Sequence, residues 1–319
     1  MSKKKLLQPG IHFGLSNDDY HADPALGSTS IKLLRQSVAE WWYDSAYNPR
    51  RPKKRDAEPL KVGSAYHAIV LEGDKAFHRQ YVRRPDDMEG ATSSEKAAIT
   101  KAANASAAAM GKESLHGDDY DRALVAAEMI HQNPDLDGAF TNGMPEVSLF
   151  FDAFGIRQKV RFDYLKIRGF GDLKSIANEK RRPIGLACAL AIKDYRIDMS
   201  MAHYLRGRSL LPAMVADGLV YGDHDPAWLK KVAAQPDYAA QLVFIQKTGA
   251  PLVWSKVLSP ANPLIQTALS HVDEGLLKYQ EAVAKFGLDK MWIDEAVVNE
   301  LSPEDMPATF FFDQQSKPQ

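Results

Sequence analysis

Hydrophobic and polar positions alternate most clearly in the middle of the chain. Residues 145–154 (PEVSLFFDAF), 157–165 (RQKVRFDYL) and 169–176 (GFGDLKSI) are short apolar-rich runs separated by glycine-containing breaks. Such runs predict strands, and breaks at Phe154-Gly155-Ile156 and Lys166–Gly169 predict a β-meander. Two more strands are expected at Gln241–Lys247 and Pro251–Val257, joined by Thr248-Gly249-Ala250. Helical spacing prevails elsewhere. A capped helix is expected from Ser28-Thr29-Ser30 through Ile31, Leu33 and Leu34 to Trp41-Trp42-Tyr43, with the aromatic cluster in the core. Others are expected over 61–72, around 94–110 and 120–131, over 184–207 with an interruption near Asp194 and Tyr195, and over about 262–286. The Pro- and Arg-rich residues 48–60 read as an exposed loop. The pattern predicts an α/β fold, a central mixed β-sheet flanked by helices with an N-terminal helical region, in one domain over 1–319. Its parts are an N-terminal segment 1–60, a helical region 61–140 carrying His67, in which the polar, Ala-rich stretch after residue 72 to about 135 reads as an insertion, a core 141–290, and a tail 291–319 carrying Trp292 and Phe310-Phe311-Phe312.

Composition fits one enzyme-sized unit: 319 residues, 45% apolar, is enough for a substantial core. The single cysteine, Cys188, excludes an internal disulfide framework and a cysteine-held zinc or iron–sulfur centre. It lies in the apolar run Leu186–Ile192 and is expected to be a small buried hydrophobe. Lys3-Lys4-Lys5 is followed only by Leu6-Leu7, too short for an export signal, and no stretch approaches the ~20 apolar residues of a membrane span. A soluble, cytoplasmic protein with no membrane partner is expected.

A net charge of −1 does not announce nucleic-acid binding, but phosphate contacts need local rather than total positive charge. The candidate patches are Arg50–Arg55 (RRPKKR), Arg83-Arg84 and Lys180-Arg181-Arg182, balanced by acidic pairs such as Asp86-Asp87 and Asp118-Asp119. An ordinary solvated loop is the bland reading of each, favoured for Arg83-Arg84. Lys180, Arg181 and Arg182 follow the third meander strand closely and are the candidate DNA contacts. Gly169–Lys174 lacks the spacing of a nucleotide-binding loop, and no Gly-x-Ser-x-Gly frames Ser175.

The meander carries the chemistry. Glu146 opens its first strand, Asp163 ends the second, and Asp172-Leu173-Lys174 begins the third. In a strand, Asp172 and Lys174 share one face while the Leu173 side chain turns to the core and its backbone carbonyl edges toward the site. Two carboxylates and a carbonyl can hold Mg²⁺, which keeps several waters, and a nearby lysine can orient an attacking water and stabilise phosphorane charge. Each feature alone is weak. Asp-x-Lys arises by chance, and a lone His67 on a helical Gly63–Glu72 stretch is more often a satisfied partly buried residue than a ligand.

The ordered set resembles the PD-(D/E)xK nuclease superfamily and, within it, the RecB-like exonucleases and the nuclease domains of phage-type exonuclease VIII (RecE). The resemblance is carried by Tyr20-His21, Ser28–Lys32, Gly63–His67 with Leu71-Glu72, Pro145-Glu146, Asp163, Asp172-Leu173-Lys174 and Tyr195–Tyr204. It implies a restriction-endonuclease-like core, with metal ligands at His67, Asp163, Asp172 and the Leu173 carbonyl, and a catalytic group of Lys174, Asp172, Asp163 and Glu146. It implies Mg²⁺, with Mn²⁺ able to substitute because imidazole suits it. Tyr204 falls on a tyrosine that helps hold the DNA end. The glutamine expected four residues earlier is Ser200, too short for the same contact, with Asp198 and His203 as neighbours that could compensate. The implied activity is degradation of linear double-stranded DNA from its ends, in recombination, by a phage- or prophage-encoded homo-oligomer working with a single-strand annealing protein. A structure-specific endonuclease of the same superfamily and an inactive DNA-binding module are the alternatives.

Overall fold

The computed structural model describes residues 6–52, 58–85, 90–136, 138–296, 298–307 and 310. Lys3–Lys5, Lys53–Arg55, Asp86-Asp87 and Phe311-Phe312, named above, lie outside the described residues. The N-terminal third comprises β1 (Gly10–His12), α1 (Asn17–Ala22), α2 (Ser28–Gln36), α3 (Val38–Asp44), α4 (Glu58–His67), α5 (Asp74–Gln80), β2 (Tyr81–Arg83) and α6 (Ser93–Ala109). β3 (Glu113–Leu115) and α7 (Gly117–Gln132) lead into the meander, β4 (Met144–Ala153), β5 (Ile156–Lys166) and β6 (Gly169–Ile176). α8 (Ile184–Tyr195), α9 (Ile197–Ser209), α10 (Leu211–Ala216), β7 (Val220–Tyr221) and α11 (Pro226–Ala234) cross to β8 (Ala239–Gln246), β9 (Val253–Leu258) and α12 (Pro263–Phe286).

Seven strands form one mixed sheet in the order β7-β1-β4-β5-β6-β8-β9, with β2 and β3 apart as a parallel pair. The β4–β5 turn forms at Phe154 and Gly155, whose φ values of 58° and 68° suit a tight hairpin. β6 and β8 run parallel, so the chain between them must cross over, and α8 and α9 make that crossing beside the sheet. Helices cover both faces. One core joins α2, α3, α9 and α12 to Val147, Val160, Phe162, Phe170 and Phe244; the other joins α4, α5 and α7 to Tyr164, Leu173, Val243 and Ile245. Of the stretch expected as an insertion, α5 and α7 therefore belong to the second helical layer of the fold.

The predicted helix from Ser28 to Tyr43 is two helices. Ser37 is extended (φ −156°, ψ 119°), its hydroxyl caps Glu40 N–H, and Asp294 accepts from Val38 N–H at 2.9 Å and Ala39 N–H at 3.2 Å. Gly27, not Ser28, is the N-cap of α2. The tail that supplies Asp294 also buries Trp292 against Trp41, ring centroids 4.9 Å apart. The break expected near Tyr195 falls at Arg196, in the left-handed conformation between α8 and α9. Cys188 is fully buried. Among the described residues no helix is long and apolar enough to cross a membrane.

Candidate active site

The site forms where β5 and β6 part. Their ladder runs through Lys166↔Gly169, Leu165↔Phe170 and Tyr164↔Gly171 and stops, so Asp163 and Asp172, next in register, are not joined through the backbone. The Asp163 carboxylate enters the gap and accepts the Leu173 N–H at 2.8 Å, satisfying a donor that the ladder leaves free. On the other side, Glu146 lies between the pairs Pro145↔Tyr164 and Val147↔Phe162 with φ +54°. A non-glycine residue held there costs on the order of 1–3 kcal/mol, a strain that clusters at functional sites. Alternation slips at this point: Phe162 and Leu165, three apart, pack in the same core. The slip is what turns two acids toward one spot.

His67 ends α4, and a single π turn, Ala68–Glu72, follows it. Such turns are uncommon and recur at functional sites. With Nε2 protonated, the imidazole donates to the Leu173 carbonyl at 3.0 Å. Nε2 also lies 3.8 Å from Asp163 Oδ2, and Nδ1 3.9 Å from Glu146 Oε1. Burial works against the imidazolium, but the Asp163 and Glu146 carboxylates outweigh it and raise the His67 pKa. Ligand atoms of His67, Glu146 and Asp163 all lie within 4.8 Å of one another, a spacing and donor set that fit one divalent cation.

Asp172 and Lys174 project from β6 beside this cluster. Lys174 Nζ is 2.7 Å from Asp172 Oδ2, 3.8 Å from Asp163 Oδ2 and 3.3 Å from the Leu173 carbonyl. Asp172 is fully buried, and neither of its oxygens receives a well-aligned hydrogen bond despite the lysine's proximity. Burial raises its pKa, Lys174 pulls it back, and the Asp163 charge adds to the rise. Burial also opposes the Lys174 charge, but that ammonium faces two carboxylates and is held protonated well above the usual lysine range. A buried carboxylate with no aligned donor is the group a cation would satisfy. The five side chains expected from the sequence, His67, Glu146, Asp163, Asp172 and Lys174, and the Leu173 carbonyl are thus together. Glu146 completes the metal-sized cluster, and Asp172 stands beside it against Lys174.

His67, Glu146, Asp163 and Lys174 line a cleft of about 1390 Å³, with Asp172 buried behind them. α9 contributes Ser200 and Tyr204 on successive turns of one face. Burial pushes the Tyr204 hydroxyl up to about 12, opposed by Lys174 and reinforced by Asp172 and Asp163. The proposed substitutes for the missing glutamine are engaged elsewhere. Asp198 pairs with Arg196 at 2.8 Å, and His203 is fully buried against the Lys159 carbonyl. Lys180 and Arg182 line the mouth, where Asn178 holds their loop by bonding the Arg182 backbone and Gln246. Arg181, in a left-handed turn (φ 48°), does not line it.

Arg161, two residues before Asp163 on β5, is not among the residues that the sequence singles out. It lies 3.6 Å from Glu146, donates to Ser148 Oγ at 2.8 Å and to the backbone of Leu15 at 3.0 Å, and stacks over the Tyr20 ring at 4.2 Å. The signal was present: Lys159, Arg161 and Asp163 alternate with Val160 and Phe162, putting three charges on one face of a buried strand. Lys32, quoted only within its segment, reaches Ser200 across the cleft.

Residues 28–211, more than half of the chain, match the model of a family described as "PDDEXK-like domain of unknown function (DUF3799)". The chain belongs to this family. The matched span begins at α2 and ends at the start of α10, so it contains the metal-sized cluster, Asp172, Lys174 and the α9 residues, while Leu15, Tyr20 and Gln246 lie outside it. A search among curated proteins gives no significant match. Among solved structures, the crystal structure of a "putative exonuclease" from Eubacterium rectale is similar with a TM-score of 0.54 at 12% identity, over 93% of this chain and 99% of that one. At that identity the likeness shows the fold. The PDDEXK-like protein has the α/β, restriction-endonuclease-like nuclease core, with a mixed seven-stranded sheet between helical layers.

Proposed function

We propose that this PDDEXK-like protein is a metal-dependent exodeoxyribonuclease that degrades linear double-stranded DNA from its ends, 5′ to 3′, exposing single strands for recombination. The observation that carries the nuclease reading is the His67–Glu146–Asp163 cluster set against a protonated Lys174 in an open cleft. Mg²⁺ held there, or Mn²⁺ in its place, would polarise a non-bridging phosphate oxygen and acidify a water for in-line attack.

The chain's own groups divide the remaining work. Lys174, with Nζ 2.7 Å from Asp172 and 3.8 Å from Asp163, would supply positive charge for the pentacoordinate phosphorane. Asp172 holds that ammonium against the cleft floor. Arg161 restrains Glu146 in its left-handed conformation and ties the Leu15–Asn17 segment to the same spot. Tyr204, Lys180 and Arg182 are disposed to contact the DNA strand. End-directed action, an annealing partner, a homo-oligomer and a phage setting rest on the RecE resemblance, to which the fold and the family are congenial.

The test is Mg²⁺-dependent digestion of linear duplex labelled separately at each 5′ and 3′ end, beside a covalently closed circle. Loss of end label with the circle intact is expected, and Lys174→Ala and Asp163→Asn should each lose at least about 100-fold in rate, the scale of removing one transition-state contact. Cutting of the circle would make the protein an endonuclease. Parental activity in either variant would remove the assigned site.

A further inference from the structure

Two rungs join α2 to α9 at the edge of the cleft. Ser28 faces Tyr204, and one turn further along each helix Lys32 Nζ donates to Ser200 Oγ at 3.1 Å. Both pairs are at i and i+4, so each helix presents one face to the other. Lys32 also donates to the Tyr195 carbonyl at 3.0 Å, at the end of α8. Two of its three N–H groups are therefore used on neutral acceptors. Among the described residues no carboxylate forms an ion pair with it, although it lines the same cleft as Lys174. Burial lowers its pKa to about 8, and the Lys174 charge adds to that against the opposing pull of Asp172 and Asp198. An ammonium held half-buried by neutral partners, beside a second ammonium, leaves unmet charge directed at whatever enters the cleft.

We infer that Lys32 is a substrate contact, whose ammonium binds a non-bridging phosphate oxygen of the DNA strand one position away from the phosphate at Lys174. Ser200 and the Tyr195 carbonyl aim it. The short Ser200 side chain is what admits it: a longer residue at that point of α9 would fill the space that Lys32 Nζ occupies. The change that appears in the sequence as a lost contact thus becomes, through α2, a cationic one. The inference rests on the nuclease reading of the site.

The experiment measures kcat and KM for end-labelled linear duplex across a KCl series with wild type, Lys32→Met, Lys32→Arg and Ser200→Ala. Lys32→Met should raise KM about tenfold, the worth of one charge-assisted hydrogen bond. It should also make the fall of log(kcat/KM) with log[KCl] shallower by about 0.9, the counterion share of one phosphate. Lys32→Arg should restore the salt slope, and Ser200→Ala should raise KM by about threefold with the slope intact. A purely structural lysine would lower the melting temperature and leave the slope unchanged. A folded Lys32→Met with wild-type KM and slope overturns the inference while the nuclease reading stands. Should Lys32→Met fail to fold, wild-type KM in Ser200→Ala together with a shallow slope in Lys32→Arg overturns it. Wild type that neither binds nor cuts the duplex with Mg²⁺ or Mn²⁺ overturns the nuclease reading itself.

Discussion

His203 shows how a single side chain can set acid stability from outside the chemistry. It is fully buried, its Nε2 faces the Lys159 carbonyl, and burial pushes its pKa down to about 4 despite that hydrogen bond. The unfolded chain takes up this proton near 6.5, so between about pH 6.5 and 4 the unfolded state binds more protons and stability falls as pH drops. The full effect is on the order of 3 kcal/mol. His203→Gln, which keeps a donor for the carbonyl, should flatten the urea midpoint against pH across this window; parallel curves for the two proteins would show that His203 is not the titrating group. Nothing in the sequence set this histidine apart from His67, since both are lone histidines on helical stretches. Only the family resemblance singled out His67, whereas Asp172 and Lys174 were legible from the residues themselves, because period-2 spacing makes them neighbours wherever the strand lies. Lys32 was illegible for the opposite reason. Its partner is 168 residues away, and only the packing of α2 on α9 brings them together.

At the scale of elements, two helical glycines should respond to alanine with opposite signs. A Cβ at Gly275 would sit 2.6 Å from the backbone oxygen of Ile31, where α12 crosses α2, and a backbone atom cannot step aside as a side-chain end can. Overpacking of this kind costs about 1–3 kcal/mol, more than the roughly 1 kcal/mol that alanine adds in helix propensity. At Gly63 on α4 the nearest neighbour would be Ser175 Oγ at 3.7 Å, so propensity should win there. Urea unfolding should therefore show Gly275→Ala below wild type and Gly63→Ala above it; the same sign for both would mean that the crossing relaxes freely. The long α12 was legible because Asn262 caps it and Pro263 opens it, both local signals. The split between α2 and α3 was not, because the Asp294 that satisfies the Val38 and Ala39 donors comes from the far end of the chain. β1 and β7, of three and two residues, are too short to show alternation. The second helical layer was misread as an insertion because α7 packs on α4 and the π turn, and many of its buried residues are small, Ala123, Ala126 and Ala127, which carry little hydrophobic periodicity.

Across the whole molecule, the candidate site is a seam. His67 arrives from the layer built on α4, α5 and α7, the acids from the sheet, and Ser200 and Tyr204 from the opposite layer. Glu146, Asp163 and Asp172 are brought close there with Arg161 and Lys174 as their counter-charges, so the seam gathers three acids whose mutual repulsion these two cations offset in part. An ion taken up there would bridge α4 to β4 and β5 in one step. Any ligand that binds only the folded state stabilises by RT ln(1 + [L]/Kd), about 2.7 kcal/mol at 100 times Kd. Adding saturating Mn²⁺ to the EDTA-treated protein should raise the melting temperature by several degrees, as for any domain of this size gaining that much. In Asp163→Asn one ligand and one repulsive charge are lost together: the metal-free protein should melt no lower than wild type by more than the Leu173 hydrogen bond is worth, about 1 kcal/mol, while the Mn²⁺ increment disappears. An equal Mn²⁺ increment in both proteins would place the ion elsewhere on the molecule, and the seam would then be held by its ion pairs alone.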